Sequence, residues 1–119
     1  SGQGTFVWSN GDIYTGDWKQ DKQNGHGKLT KKTGDIFEGS FLDGRVEGEV
    51  VIHYADGSRF KGIYHNGQRN GKAIEEDKDG KRFEGTYVDD RRDGKFVEKD
   101  RNGKVISSGH YESGKRFND

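Results

Sequence analysis

For metal or nucleophilic chemistry the 119-residue chain offers four histidines, His26, His53, His65 and His110, and no cysteine. The missing thiols exclude disulfides and thiolate metal sites. Imidazoles could still bind a divalent ion, but ligands must converge, and no His-x-x-x-His pair exists. No serine stands in a nucleophile elbow. The adjacent carboxylates Glu75-Glu76 and Asp89-Asp90 sit in polar, turn-flanking stretches that do not supply the desolvation a catalytic acid needs. Glu75, Asp77, Asp79 and Gly80 imitate the start of a calcium loop, yet its twelfth position is Thr86 where a bidentate Glu is required. Gly25-x-Gly27 lacks the third glycine and the following helix of a dinucleotide site. Catalysis is not expected, nor is a metal or a cofactor.

What recurs is a frame of aromatics and glycines with a period of about 23 residues. Tyr14 is followed by Phe37, Phe60 and Phe83; Trp18 by Phe41, Tyr64 and Tyr87; Gly16 by Gly39, Gly62 and Gly85. All 20 glycines fall into a few columns, among them Gly2, Gly25, Gly48, Gly71, Gly94 and Gly11, Gly34, Gly57, Gly80, Gly103. Glycines locked to a period mark places where a side chain is not wanted. The predicted units are a partial repeat over 1–13, full repeats over 14–36, 37–59, 60–82 and 83–105, and a partial terminal repeat over 106–119, all in one array. The start in mid-repeat, without Met, reads as a piece cut from something longer.

Only 26% of residues are apolar and 35% are charged, too few for a thick core. Zero formal net charge and 14 periodic aromatics still allow a thin sheet in which each repeat packs on its neighbours. Each repeat reads as strand, loop, strand, turn. Residues 12–18 form a strand with Tyr14, Gly16 and Trp18 on one face, and Gly16 leaves a hollow for a neighbouring ring. A loop over 19–24 and a strand over 25–31 follow. Ser9-Asn10-Gly11-Asp12 reads as a two-residue hairpin turn, because Asn-Gly supplies positive φ at both positions. Glu75 and Glu98 stand in the column of Phe6, Leu29 and Ile52, so the later strands either slip by one residue or change their apolar side.

Tyr14-Thr15-Gly16-Asp17-Trp18 with Asn24-Gly25-His26-Gly27, repeated in register, resembles the MORN repeat (membrane occupation and recognition nexus). The resemblance implies an all-β fold: an elongated, single-layer, open and twisted antiparallel β-meander of stacked hairpins. Asp21 and Asp90 depart from the loop glycine, and Val50, Ala73 and Phe96 depart from the glycine at Gly27, so the C-terminal half resembles a diverged form of the repeat.

Function is then expected at a surface. A thin sheet with an aromatic ladder offers anchors for a partner helix, a peptide or a second copy: Trp8, Tyr14, Trp18, Phe37, Phe41, Phe60, Tyr64, Phe83 and Tyr87. The bland alternative is that most of these rings only pack on one another. Unpaired end strands add a route to self-association. The second reading is an anionic, phosphoinositide-bearing membrane surface held by Lys19, Lys22, Lys28, Lys31 and Lys32. Interleaved aspartates oppose it. Residues 1–60 sum to about −2 and residues 61–119 to about +2, which supplies no basic face for nucleic acid. The family resemblance implies attachment, in some proteins, to catalytic domains such as phosphoinositide kinases or lysine methyltransferases, and an intracellular location, cytoplasmic or peripheral on a membrane's cytoplasmic face.

Overall fold

The computed structural model describes residues 2–119 as one antiparallel sheet. Its strands are β1 (Gly2–Val7), β2 (Ile13–Lys19), β3 (Lys22–Thr30), β4 (Ile36–Leu42), β5 (Arg45–His53), β6 (Arg59–His65), β7 (Gln68–Arg69), β8 (Gly71–Glu76), β9 (Arg82–Val88), β10 (Arg91–Arg92), β11 (Gly94–Lys99), β12 (Val105–Glu112) and β13 (Lys115–Asn118). Neighbours in sequence are neighbours in the sheet, with β7–β8 and β10–β11 being single strands interrupted at one residue. The molecule is elongated, 49 × 26 × 21 Å, and open at both ends. The all-β meander expected from the repeat is what forms.

Two kinds of turn alternate, and both differ from the sequence expectation. Along one long edge, Gln20-Asp21, Asp43-Gly44, Asn66-Gly67, Asp89-Asp90 and Ser113-Gly114 all have positive φ at both positions, the two-residue hairpin turn that matches strand twist. The predicted six-residue loop over 19–24 is therefore a two-residue turn, missed because Gln20-Asp21 carries no glycine. Along the other edge, Gly11 N–H donates to the Trp8 carbonyl at 3.0 Å and Trp8 N–H to the Asp12 carbonyl at 2.9 Å. Only the glycine there has positive φ. Ser9-Asn10-Gly11 is thus a three-residue loop ending in a bulge, not the predicted two-residue turn.

A further glycine recurs inside each second strand. Gly25, Gly48, Gly71 and Gly94 have φ of +95, +98, +96 and +88°. The pairing of β2 with β3 shifts register between Gly16 and Trp18, and that of β4 with β5 between Gly39 and Phe41. An extra residue of this kind bends the strand and sharpens its twist. Beyond the bulge, Gly16 and Gly39 meet the neighbouring backbone so closely that an added Cβ would lie 2.5 Å from the Gly27 Cα and 2.3 Å from the Glu49 carbonyl oxygen. Across Gly27, Gly39, Val50, Gly62, Ala73 and Gly85 the sheet is creased along its length.

Rings fill the glycine hollows from both sides: Tyr14 on β2 lies against Gly27 of β3, while Phe60 and Phe83 lie against glycines of their own strands. A Cβ on Gly62 would meet the Phe60 ring at 2.6 Å, and one on Gly85 the Phe83 ring at 2.7 Å. The register continues through the later repeats: Glu75 stands opposite Phe60 and Phe83 as Ile52 stands opposite Phe37 and Phe60. No strand slips. Ile74 therefore points to the other face and is 42% exposed. The inserted residue near the C-terminus is absorbed by a register shift between Glu98 and Lys99 against β12.

Candidate interaction surface

The two faces of the creased sheet do different work. On the aromatic face the rings cover one another. Tyr14 is fully buried; its hydroxyl donates to the Asp17 carbonyl at 2.9 Å, and Trp18 and Phe41 meet it edge-on at 5.1 Å. Phe60 meets Tyr64 and Tyr87 edge-on, and Phe83 stacks on Phe96 at 5.7 Å. Phe41, Phe60, Phe83 and Tyr87 are buried with Tyr14, while Trp8, Trp18, Phe37 and Tyr64 are half-buried. The structure brings the predicted anchors together as a row, and the five buried rings have no surface left to offer. They hold the sheet, as expected for the majority.

Sequence reasoning missed the polar half of this face. The position opposite the second aromatic of each repeat holds Gln23, Val46, Arg69, Arg92 and then Arg116. Arg92 lies 3.7 Å above the Phe83 ring and donates to the hydroxyls of Tyr87 and Tyr111 and to Glu75 at 2.8 Å. Tyr87 donates in turn to Glu75 at 2.9 Å. Arg116 covers Phe96 and donates to Glu98. The two glutamates thus keep the apolar column's place and face, each with an arginine brought to it. Burial alone would lower the Arg92 pKa, but its bonds to Tyr87, Glu75 and Tyr111 hold it above the usual arginine value. Burial likewise pushes the Glu98 carboxyl up, and Arg116 with Lys81 outweighs it, leaving the group below its ordinary value. The signal that could have found this network is the change from Gln23 and Val46 to arginine in the very repeats where the column turns to glutamate.

The five lysines of the membrane reading do not converge. Lys19 and Lys22 face each other across the Gln20-Asp21 turn, while Lys31 and Lys32 lie at the opposite edge, roughly 30 Å away by strand rise. Lys31 pairs with Asp12 at 3.6 Å, and Lys28 stands mid-strand beside Glu38. Among the described residues no group of three or more His, Cys, Asp or Glu could hold a metal ion.

The other face carries the cavity. An open groove of about 780 Å³ follows the crease from β3 to β9. One wall is Glu38, Val51, Lys61, Ile74 and Glu84; the other includes Glu49, Ile63, Lys72 and Thr86. Ile63 and Ile74 are 37% and 42% exposed. A smaller groove of about 500 Å³ continues the line over β1 to β4 and shares His26 and Glu38 with the first. The groove can accept a ridge of side chains.

A family model described as MORN repeat matches residues 1–13, 14–36, 37–59, 60–82 and 83–104. No curated protein matches the chain.

Proposed function

The chain belongs to the MORN repeat family, and from that premise we propose that it is a non-catalytic docking module for a protein partner. Contact is made in the groove opposite the rings. The observation that carries this reading is the division of labour between the faces. Five rings of the aromatic row are buried in holding a single-layer sheet, whereas Ile63 and Ile74, 37% and 42% exposed, line a long open track. We read residues 1–119 as one array, whose C-terminal half is a diverged form of the repeat in which Arg–Glu pairs replace apolar contacts.

Photo-crosslinking from Ile63, with Val88 at the turn edge as the control position, tests the proposal in an extract of the parent cell. A protein adduct formed from Ile63 alone, and abolished by Ile74→Asp, supports it. Adducts to lipid, or equal labelling from Val88, overturn it and return attention to Lys19, Lys22, Lys28, Lys31 and Lys32 at a membrane surface. An adduct to a second copy of the chain identifies the partner as itself.

A further inference from the structure

The charges that line the groove fall in an order along it. Several carboxylates and bases elsewhere are matched: Asp12 with Lys31, Glu47 with His65, Glu75 with Arg92, Glu76 with Arg59 and Arg82, Glu98 with Arg116. Among the described residues Glu38, Glu49, Lys61 and Lys72 have no opposite charge within 4.0 Å. They are also sorted along the groove. Glu38 on β4 and Glu49 on β5 make one end acidic; Lys61 on β6 and Lys72 on β8 make the next stretch basic. On one wall Val51 lies between Glu38 and Lys61 and Ile74 between Lys61 and Glu84; on the other Ile63 lies between Glu49 and Lys72.

Spacing decides what such a track can read. The centres of the acidic and basic pairs are two strand spacings apart, roughly 10 Å. On an α-helix laid along the crease that distance is about seven residues, two turns, so both charges project from the same face. On an extended peptide it is about three residues, which places the two side chains on opposite faces. We propose, resting on the docking reading above, that the groove takes one amphipathic α-helix of a partner protein. Its apolar stripe lies on Val51, Ile63 and Ile74, a basic side chain reaches Glu38 and Glu49, and an acidic side chain about two turns away reaches Lys61 and Lys72. A helix spanning the groove from β3 to β9 has about 16 residues.

The test uses synthetic helical peptides of about that length with one leucine stripe and two charge positions seven apart. They carry Lys and Glu, Lys and Lys, or Glu and Glu, alongside a proline-interrupted Lys–Glu control. Affinities are measured by fluorescence anisotropy against the whole chain and its Glu38→Lys/Glu49→Lys variant. The Lys–Glu peptide binds the native chain best; each exposed charge contact contributes up to about fivefold in affinity. The variant prefers the Glu–Glu peptide, reversing the order by about tenfold or more. Equal binding of the three helical peptides, lost with Ile74→Asp, overturns the charge register and leaves groove docking standing. Equal binding of the proline control overturns the helix. Binding of none overturns this inference, while the crosslinking from Ile63 judges docking separately.

Discussion

Replacing Arg116 by alanine isolates the cost of putting glutamate in an apolar column. Glu98 is 9% exposed beside Phe83 and Phe96, and its carboxylate is held by Arg116 on one oxygen and by Lys81 at 3.6 Å on the other. Breaking a fully buried pair costs about 3–5 kcal/mol, because the remaining charge is left without its partner. Arg116 is 34% exposed on its side chain and Lys81 stays, so water and one cation soften the loss, and we expect about 2 kcal/mol. The double change Glu98→Ile with Arg116→Leu restores the residue type found at Ile52 and leaves only Lys81, whose side chain is 51% exposed, without its partner. It should fall within about 1 kcal/mol of the native chain. The pH dependence has a definite sign. In the native chain Glu98 titrates below its ordinary value, so its contribution is complete above about pH 4.3 and is lost as pH falls through the lower folded value. Without Arg116, burial raises that carboxyl, and the variant's deficit is largest at neutral pH and shrinks below about pH 4. Urea unfolding should be followed by backbone circular dichroism or amide NMR, since both tryptophans, Trp8 and Trp18, lie at the far end. A deficit below about 0.5 kcal/mol, or one equal at about pH 7 and about pH 3, would refute the reasoning.

Three further outcomes are expected. Gly39→Ala pushes a methyl to 2.3 Å from a backbone oxygen and should cost about 3 kcal/mol or more in urea unfolding, whereas Gly67→Ala, at φ +79° in open space, should cost about 1. Asp21→Gly relieves a side chain held at φ 63° and should stabilise by about 1 kcal/mol, read as a raised thermal midpoint. Burial pushes the Tyr54 hydroxyl up to about 12, so the folded state keeps it neutral and loses stability as pH rises above about 10, where the unfolded chain ionises. Tyr54→Phe should flatten that alkaline loss in a pH series of thermal midpoints.

The fold was legible because its rules are local and repeated. Tyr14, Gly16 and Trp18 state which face carries rings and where a side chain is unwelcome, and four copies state it in register. Turn type was less legible. Gln20-Asp21 adopts positive φ under the demand of strand twist, without the glycine that announces it at Asp43-Gly44. Asn10-Gly11 looks like a two-residue turn because the third loop residue, Ser9, gives no signal of its own. The glutamates of the apolar column were unreadable for another reason: Arg92 is 17 residues from Glu75 and Arg116 is 18 from Glu98, partners joined only by the sheet's register. The groove was not foreseen, because periodicity tells which residues share a side. It does not tell toward which side a glycine crease opens.

Strand order in this sheet is sequence order. No strand waits for a partner beyond its neighbour in sequence, and each later hairpin finds its docking edge already built. Long-range sheets fold slowly because distant segments must meet first; here each closure spans only one repeat, whatever the total length. Synthesis and folding can therefore proceed in the same direction at the same pace, and the array can gain or lose a hairpin without re-threading what came before.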